Sequence, residues 1–465
     1  MKHVGFSGRL VIVGFGSIGQ GALPLILRHI DLDPRKITIV TAEDGGRDVA
    51  AEYNIRFVKE RLTPGNYRAV LDPMVGAGDF VVNLSIDVSS LALVRFCREK
   101  NAFYIDTCIE PWAGGYTDTS LTPAERTNYA LREQALTLKG DGPTALVTHG
   151  ANPGLVSHFA KRALLDIARD TGLAIAKPAN RGEWASLMER LAIKVVHVAE
   201  RDTQIADRPK MWGEFVNSWS IEGFIGEGCQ PCELGWGTHE KSLPRDGQNH
   251  EVGSRCAIYL TRPGASVRVR SWTPKEGPYH GFLITHNESI SLADYFSRSE
   301  NGRVVYRPTV HYAYHPCDAA VLSLHELAGR NWQSQPKKRL LMGDIVAGTD
   351  ELGVLLMGHA KGAYWFGSQL SIAEARALAP HNNATSLQVT VSVLAGMVWV
   401  LNHPRLGLVE PEEIDFDFIL ELCAPYLGKL AGAYSDWTPL LNRAVLFDEA
   451  VDRADPWQFT NFLVH

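Results

Sequence analysis

Hydrophobic and polar positions follow two different rhythms along this chain. Near the start an unbroken apolar run, Leu10-Val11-Ile12-Val13, gives way to Gly14-Phe15-Gly16-Ser17-Ile18-Gly19 and then to a stretch whose apolar residues recur at helical spacing through His29. A short run with no polar interruption reads as a parallel strand covered on both faces, and the 3.6-residue period after it as a helix lying on the sheet. The same alternation repeats. Lys36–Val40, Phe80–Ser85, Phe103–Thr107 and Thr144–Thr148 read as further buried strands, with helices predicted over Leu91–Lys100 and Leu155–Ala168.

From about Lys177 to His381 the texture changes: valine- and aromatic-rich segments such as Leu191–Val198, Cys256–Leu260, Ser266–Trp272 and Val304–Tyr314 alternate with Gly/Pro loops. These predict a largely antiparallel sheet with helices. Leu387–His403 returns to a helical apolar period and ends at Pro404. The expected architecture is α/β: a Rossmann-type parallel sheet domain over 1–154, and an α+β substrate domain with a largely antiparallel sheet over 155–383. Helices from about 384–420 are expected to pack back on the first domain, with a helical extension over 421–465.

The glycine spacing after the first strand carries chemistry. In Gly-x-Gly-x-x-Gly the first glycine makes the tight turn, the second lets backbone approach a pyrophosphate, and the third lets the helix pack closely. The amides at the start of that helix attract the anion. Gly14, Gly16, Ser17, Ile18 and Gly19 are therefore expected to hold a dinucleotide. Ligands in open parallel sheets sit outside the carboxyl ends of the strands, where Asn83, Ser85, Asp106 and Thr107 fall. Glu43 or Asp44, after the second strand, is expected to bind the adenosine ribose and so to favour NAD over NADP. In His149-Gly150-Ala151-Asn152-Pro153-Gly154, Asn152 suits a helix N-cap and Pro153 the first helical position.

Composition narrows the class. At 465 residues, two domains are expected; 45% hydrophobic and 21% charged residues are ordinary for a globular enzyme. A net charge of -6 argues against a nucleic-acid partner and is compatible with cationic small molecules. Seven scattered cysteines read as reduced thiols, and no long uninterrupted apolar run argues for a membrane span, so a cytoplasmic enzyme without membrane association is expected.

The second half concentrates acids and aromatics among glycines, in Trp219-Ser220-Ile221-Glu222-Gly223-Phe224-Ile225-Gly226-Glu227-Gly228 and Glu233-Leu234-Gly235-Trp236-Gly237. Tryptophan faces beside carboxylates suit an ammonium ion, although large aromatics ordinarily fill cores. His286-Asn287-Glu288 follows an apolar segment and offers a proton-transfer group near neutral pH. Cys229 and Cys232 have half the spacing of a zinc site, with no second half nearby. His311 and His315 lie in strand-like sequence, where that spacing sets up no helical face. No metal is expected. Read alone, the residues point to a nicotinamide enzyme acting on a small, cationic substrate.

These segments, together with Asp106-Thr107-Cys108-Ile109-Glu110-Pro111-Trp112 and His311-Tyr312-Ala313-Tyr314-His315-Pro316, resemble the bacterial homospermidine synthases, relatives of saccharopine dehydrogenase-type enzymes. The resemblance spans nearly the whole chain. It implies aminobutyl transfer between putrescine and related polyamines, with NAD retained through the cycle, and a homodimer. It also implies that Asn152, Glu200, Glu227 and His286 are catalytic, and that Trp219, Glu110 and Glu288 bind substrate, Asn152 lying beside the cofactor as well. A lysine holding the imine covalently would have Lys194 or Lys361 as candidates. Two alternatives stand beside this reading: a saccharopine-type dehydrogenase that releases NADH, and a non-catalytic NAD sensor.

Overall fold

The computed structural model describes residues 2–464. The first part of the chain forms β1 (Leu10–Val13), α1 (Ser17–His29), β2 (Ile37–Thr41), β3 (Arg56–Lys59), β4 (Phe80–Asn83), α2 (Ser90–Lys100), β5 (Phe103–Asp106), α3 (Asn128–Leu136) and β6 (Ala145–Leu146). Every residue of β1 and β4 is buried, as expected where helices cover both faces of a parallel sheet. Ile12, Ile39 and Val82 pack toward α1 on one side, and Val11, Val13 and Val81 toward α2 on the other.

The second part begins with α4 (Leu155–Asp170) and β7 (Val195–Asp202), followed by α5 (Ile221–Cys229), β8 (Pro231–Gly235), β9 (Gly247–Asn249), β10 (Ala257–Pro263), β11 (Arg268–Thr273) and β12 (Gly277–Phe282). It continues through α6 (Asn287–Tyr295), β13 (Thr309–His315), β14 (Thr349–His359) and β15 (Gly362–Ser371). These are nine of the ten strands of one sheet, ordered β9-β10-β8-β13-β7-β14-β15 with the β11/β12 hairpin attached to β13; the tenth comes from the tail and follows β15. Among the described residues its pairs are antiparallel except β13 with β7. Both the parallel first sheet and the largely antiparallel second one match the α/β architecture expected from the sequence.

The chain then goes back. α7 (Ala384–Asn402) lies along α1 and the end of β5, and β16 (Leu408–Val409) adds a seventh strand to the first sheet, whose order is β16-β6-β5-β4-β1-β2-β3. All its pairings are parallel. α7 is long and apolar enough to cross a membrane by composition, with a mean hydropathy of 1.7, yet 89% of it is buried inside the fold. Its serines, threonines and glutamine break the apolar run without exposing it.

The tail corrects an expectation. Residues 421–465 are not a helical extension: after α8 (Phe416–Cys423) comes β17 (Lys429–Ser435), which pairs antiparallel with β15 at the edge of the second sheet. Gly432 is a poor helix former, and its missing side chain allows the close approach of Tyr364 that this pairing requires. Beyond it, Trp437, Trp457, Phe459 and Phe462 cover one face of the sheet with little regular structure. Asn461 holds this irregular cover together by donating to the carbonyls of Asp452, Asp455 and Pro456.

Candidate active site

The glycine loop sits where the strand order reverses, between β1 and β4, the place where an open parallel sheet binds its ligand. Gly14 has φ +84°, and a side chain there would stand 2.7 Å from the backbone of Ser85. Gly19 packs against the Phe15 ring, whereas a Cβ on Gly16 would meet nothing within 4 Å. The loop is thus closed toward the protein and open on the side a pyrophosphate would take. Ser17 begins α1 and is buried, and Ile18 follows in the first turn. Asn83 shapes the opposite wall: its amide donates to Tyr104 and its carbonyl accepts from Ser85 N–H at 3.3 Å. An open groove runs past Gly14, Thr41, Arg61, Thr63, Ser85 and Trp112. This cradle fits a dinucleotide.

Glu43 and Asp44 do not line that groove. Glu43 is exposed, and Asp44 is held in ion pairs by Arg47 and Lys59, which keep its carboxyl below the usual range. Of the two carboxylates expected to bind the adenosine ribose, Asp44 is thus engaged in surface pairing and Glu43 is exposed beside it. Arg61 and Glu60, further along, reach the groove instead.

Where the carboxyl ends of the first sheet face the second, side chains from five elements converge. Glu200 on β7 accepts from the Asn152 amide at 3.1 Å and from the Tyr312 hydroxyl of β13, both on one oxygen. Asn152 is not the cap of α4: that position belongs to Gly154, and the Asn152 side chain turns to Glu200 across the gap between the two parts of the chain. His286, at the start of α6, bridges two acids, with Nε2 3.1 Å from Glu227 of α5 and Nδ1 3.2 Å from Glu288. Its ring lies 4.5 Å from that of Tyr312. Trp219 is half-buried before α5 and donates to the Tyr314 hydroxyl at 3.1 Å. From the first half, Cys108 donates to Asn287 at 3.3 Å, and Thr107 lies against Gly150.

Burial dominates the electrostatics. Loss of water raises Glu110 to about 8, helped by the nearby Glu227 charge, and raises Glu227 itself even though His286 opposes this. Burial likewise pushes Glu200 up to about 8 against its hydrogen bonds from Tyr312 and Asn152. His286 goes the other way: burial alone would lower its proton affinity, but Glu288 and Glu227 override it and hold the imidazolium well above the ordinary range. Behind Glu200 lie Asp202 and Asp350, both buried and both raised. Asp106, raised to about 7 by burial, accepts from Thr148 N–H and Tyr104 and braces the loop that carries Asn152. The arrangement can hold an ammonium ion against acids and an indole, and can store protons beside it.

Other residues singled out from the sequence serve the scaffold. Glu233 accepts from Asn128 and Tyr129 N–H and from Thr285, and so caps α3. Trp236 packs on Phe459, and His311 on His197. Lys194 pairs with Asp455 at the far end of β7 from Glu200, and Lys361 lies over the Tyr434 ring, so neither reaches the acids. Sequence reasoning passed over Tyr312, Tyr314, Asp202 and Asp350 as site residues. The available signal was alternation: Tyr312 and Tyr314 share one face of a strand, as do Glu200 and Asp202.

Comparison with known proteins places this geometry in a lineage. The saccharopine dehydrogenase NADP binding domain matches residues 10–149, and the saccharopine dehydrogenase C-terminal domain matches residues 150–435. Homospermidine synthases of Mesorhizobium japonicum and Blastochloris viridis are each 52% identical to the chain over 98% of its length, covering 96% and 97% of those proteins. The crystal structure of the Legionella pneumophila homospermidine synthase in complex with NAD superposes with a TM-score of 0.93 at 52% identity, over 99% of this chain and 98% of that one. Saccharopine dehydrogenase of Saccharomyces cerevisiae shares the fold, with a TM-score of 0.50 at 11% identity over 92% of this chain and all of that one. The chain belongs to the homospermidine synthase family of saccharopine dehydrogenase-like enzymes.

Proposed function

We propose that this protein is an NAD-dependent homospermidine synthase that transfers an aminobutyl group from putrescine or spermidine to putrescine, releasing ammonia or diaminopropane. The observation that carries the reading is the buried line Glu227–His286–Glu288 with Glu200 beside it, facing the carboxyl ends of the nucleotide-binding sheet. NAD, held by Gly14, Gly16, Ser17, Ile18 and Gly19 with Asn83, Ser85 and Thr107, supplies a hydride acceptor that later returns the hydride, which makes the conversion redox-neutral.

The side chains account for the rest. A diamine arrives as a dication, and its reacting nitrogen must lose a proton before the neighbouring carbon can lose hydride or before the nitrogen can attack an imine. Glu200, oriented by Asn152 and Tyr312, takes that proton. Glu227 anchors the far ammonium, and Trp219 provides the cation–π wall, an attraction of about 0.5 to 2 kcal/mol. Glu110 and Glu288 complete the acidic lining. His286 returns a proton to the nitrogen that departs. A carboxylate-bearing amino-acid substrate would call for arginines here, which disfavours the saccharopine-type alternative; an NAD sensor would have no use for the buried acids.

Purified protein incubated with putrescine and catalytic NAD is expected to yield homospermidine and ammonia with no net NADH. Stoichiometric NADH would instead identify a dehydrogenase, and no reaction a sensor. Glu227→Gln and Trp219→Ala are expected to lower diamine turnover by about tenfold or more while bound NAD is kept; unchanged turnover would sink the assigned roles. The proposal includes a reducing, cytoplasmic setting, supported by seven free thiols. It also includes a homodimer through the second sheet domain, where Met211, Trp212 and Val346 leave apolar surface exposed; sedimentation equilibrium tests this.

A further inference from the structure

We propose that Tyr312 and Tyr314, two positions apart on β13, are positioning residues with divided tasks: Tyr312 fixes the proton affinity of Glu200, and Tyr314 fixes the plane of the Trp219 indole. The inference rests on the function argued above. Alternation along the strand puts both rings on one face, where they stack 5.0 Å apart with planes 8° from parallel. Their hydroxyls diverge. Tyr312 donates to Glu200 on the adjacent strand, and Tyr314 accepts from Trp219 Nε1 at 3.1 Å. Phe224, whose ring lies 5.2 Å from Trp219 and 5.6 Å from Tyr314, closes the stack from behind. One strand therefore sets both the proton handler and the cation wall.

The surroundings of Glu200 make the Tyr312 bond consequential. Asp202 on the same strand and Asp350 on β14 are acids that oppose its ionisation, whereas His286 and the two donors, Asn152 and Tyr312, favour it. Among the described residues Tyr314 and Tyr279 pack around it without a side-chain hydrogen bond to its carboxylate; the Tyr279 hydroxyl donates to the Ala313 carbonyl. Both donors land on one oxygen, so the other is left for substrate. Removing the hydroxyl removes a donor that binds the carboxylate more strongly than the neutral acid, which raises the proton affinity of Glu200. Tyr314 lies near Glu200, Asp202 and Asp350, but its hydroxyl is engaged by Trp219, which does not titrate.

The test is the pH dependence of homospermidine formation by full-length protein with bound NAD, with KM for putrescine measured at each pH. Tyr312→Phe is expected to move the ascending limb of kcat/KM to higher pH by about one unit. 3-Fluorotyrosine at position 312, equal in shape but a stronger donor, is expected to move it to lower pH, a reversal that loss of packing cannot produce. Tyr314→Phe is expected to raise KM about threefold to tenfold with the limb unmoved. The proposal is overturned if the limb stays put in both Tyr312 variants, or if Tyr314→Phe moves it as Tyr312→Phe does. Should Tyr312→Phe fail to fold, the fluorotyrosine protein decides alone. If unmodified protein forms no homospermidine, the functional reading fails first, and this inference with it.

Discussion

At the scale of single residues, the acids of this site are most informative in the protonation they adopt before substrate arrives. Glu110 is buried and raised to about 8, so near pH 7 it is mostly neutral. A diammonium ion beside it favours the ionised form and lowers its pKa, and the proton must leave. Putrescine binding at pH 7 is therefore expected to release protons, and the release should shrink above pH 8, where the carboxyl is already ionised. Calorimetry in buffers of different ionisation enthalpy measures this directly; proton uptake, or no buffer dependence, would contradict it. Glu110→Gln should reduce the release. Which residues gather here was partly legible in the chain. Glu227, Trp219 and His286 announce themselves through glycine-rich or strand-end context, but Tyr312 and Tyr314 look like ordinary strand aromatics until their hydroxyl partners are known. Glu233 shows the converse: an acid among glycines that serves as a helix cap, because its partners come from residues more than a hundred positions away.

At the scale of elements, α7 shows how one small residue sets a contact. A Cβ on Gly396 would lie 2.7 Å from Ile105 Cδ1 and 2.8 Å from His149 Nδ1, so the bare backbone lets α7 lie close over the end of β5. Gly396→Val is expected to cost about 1–3 kcal/mol through overpacking, seen as a lower urea midpoint. It should also weaken NAD binding, since β5 leads into Thr107. An unchanged midpoint would show that the helix has slack. The strands and helices of the first sheet were readable because buried parallel strands and amphipathic helices leave distinct periods. The tail was not. Lys429–Ser435 has a mixed, glycine-containing pattern that acquires meaning only against the free edge of β15, a partner that the local sequence does not encode. The pairing of Asp44 was hidden for a related reason, since its partner Lys59 comes from the next strand.

At the scale of the whole molecule, a buried ion network holds the two sheets in fixed relation. Arg132 of α3 pairs with Glu410 at 2.6 Å and with Asp294, near the end of α6, at 2.8 Å; its side chain is only 3% exposed. At the other end of α6, Thr285 and Asn128 are tied through Glu233. The helix that starts beside His286 is thus gripped at both ends. Arg132→Met would leave two carboxylates without this partner, although Arg181 still reaches Asp294. A loss of about 3–5 kcal/mol is expected, measured by equilibrium unfolding. Adding Glu410→Gln to that variant should recover part of it; no difference between the single and double variants would show that the pairing is not what holds the parts together.

The return of β16 to the edge of the first sheet has a consequence for how the protein is made. Its partner β6 emerges from the ribosome more than two hundred and fifty residues earlier, and α7, which covers α1, comes only slightly before β16. Until about residue 409 has been synthesised, the nucleotide-binding half is missing a strand and part of its roof. It cannot mature as an independent module that the second half later joins. A fragment ending after the glycine-loop sheet would lack both β16 and α7, leaving the edge of β6 and the face of α1 that α7 covers without their partners.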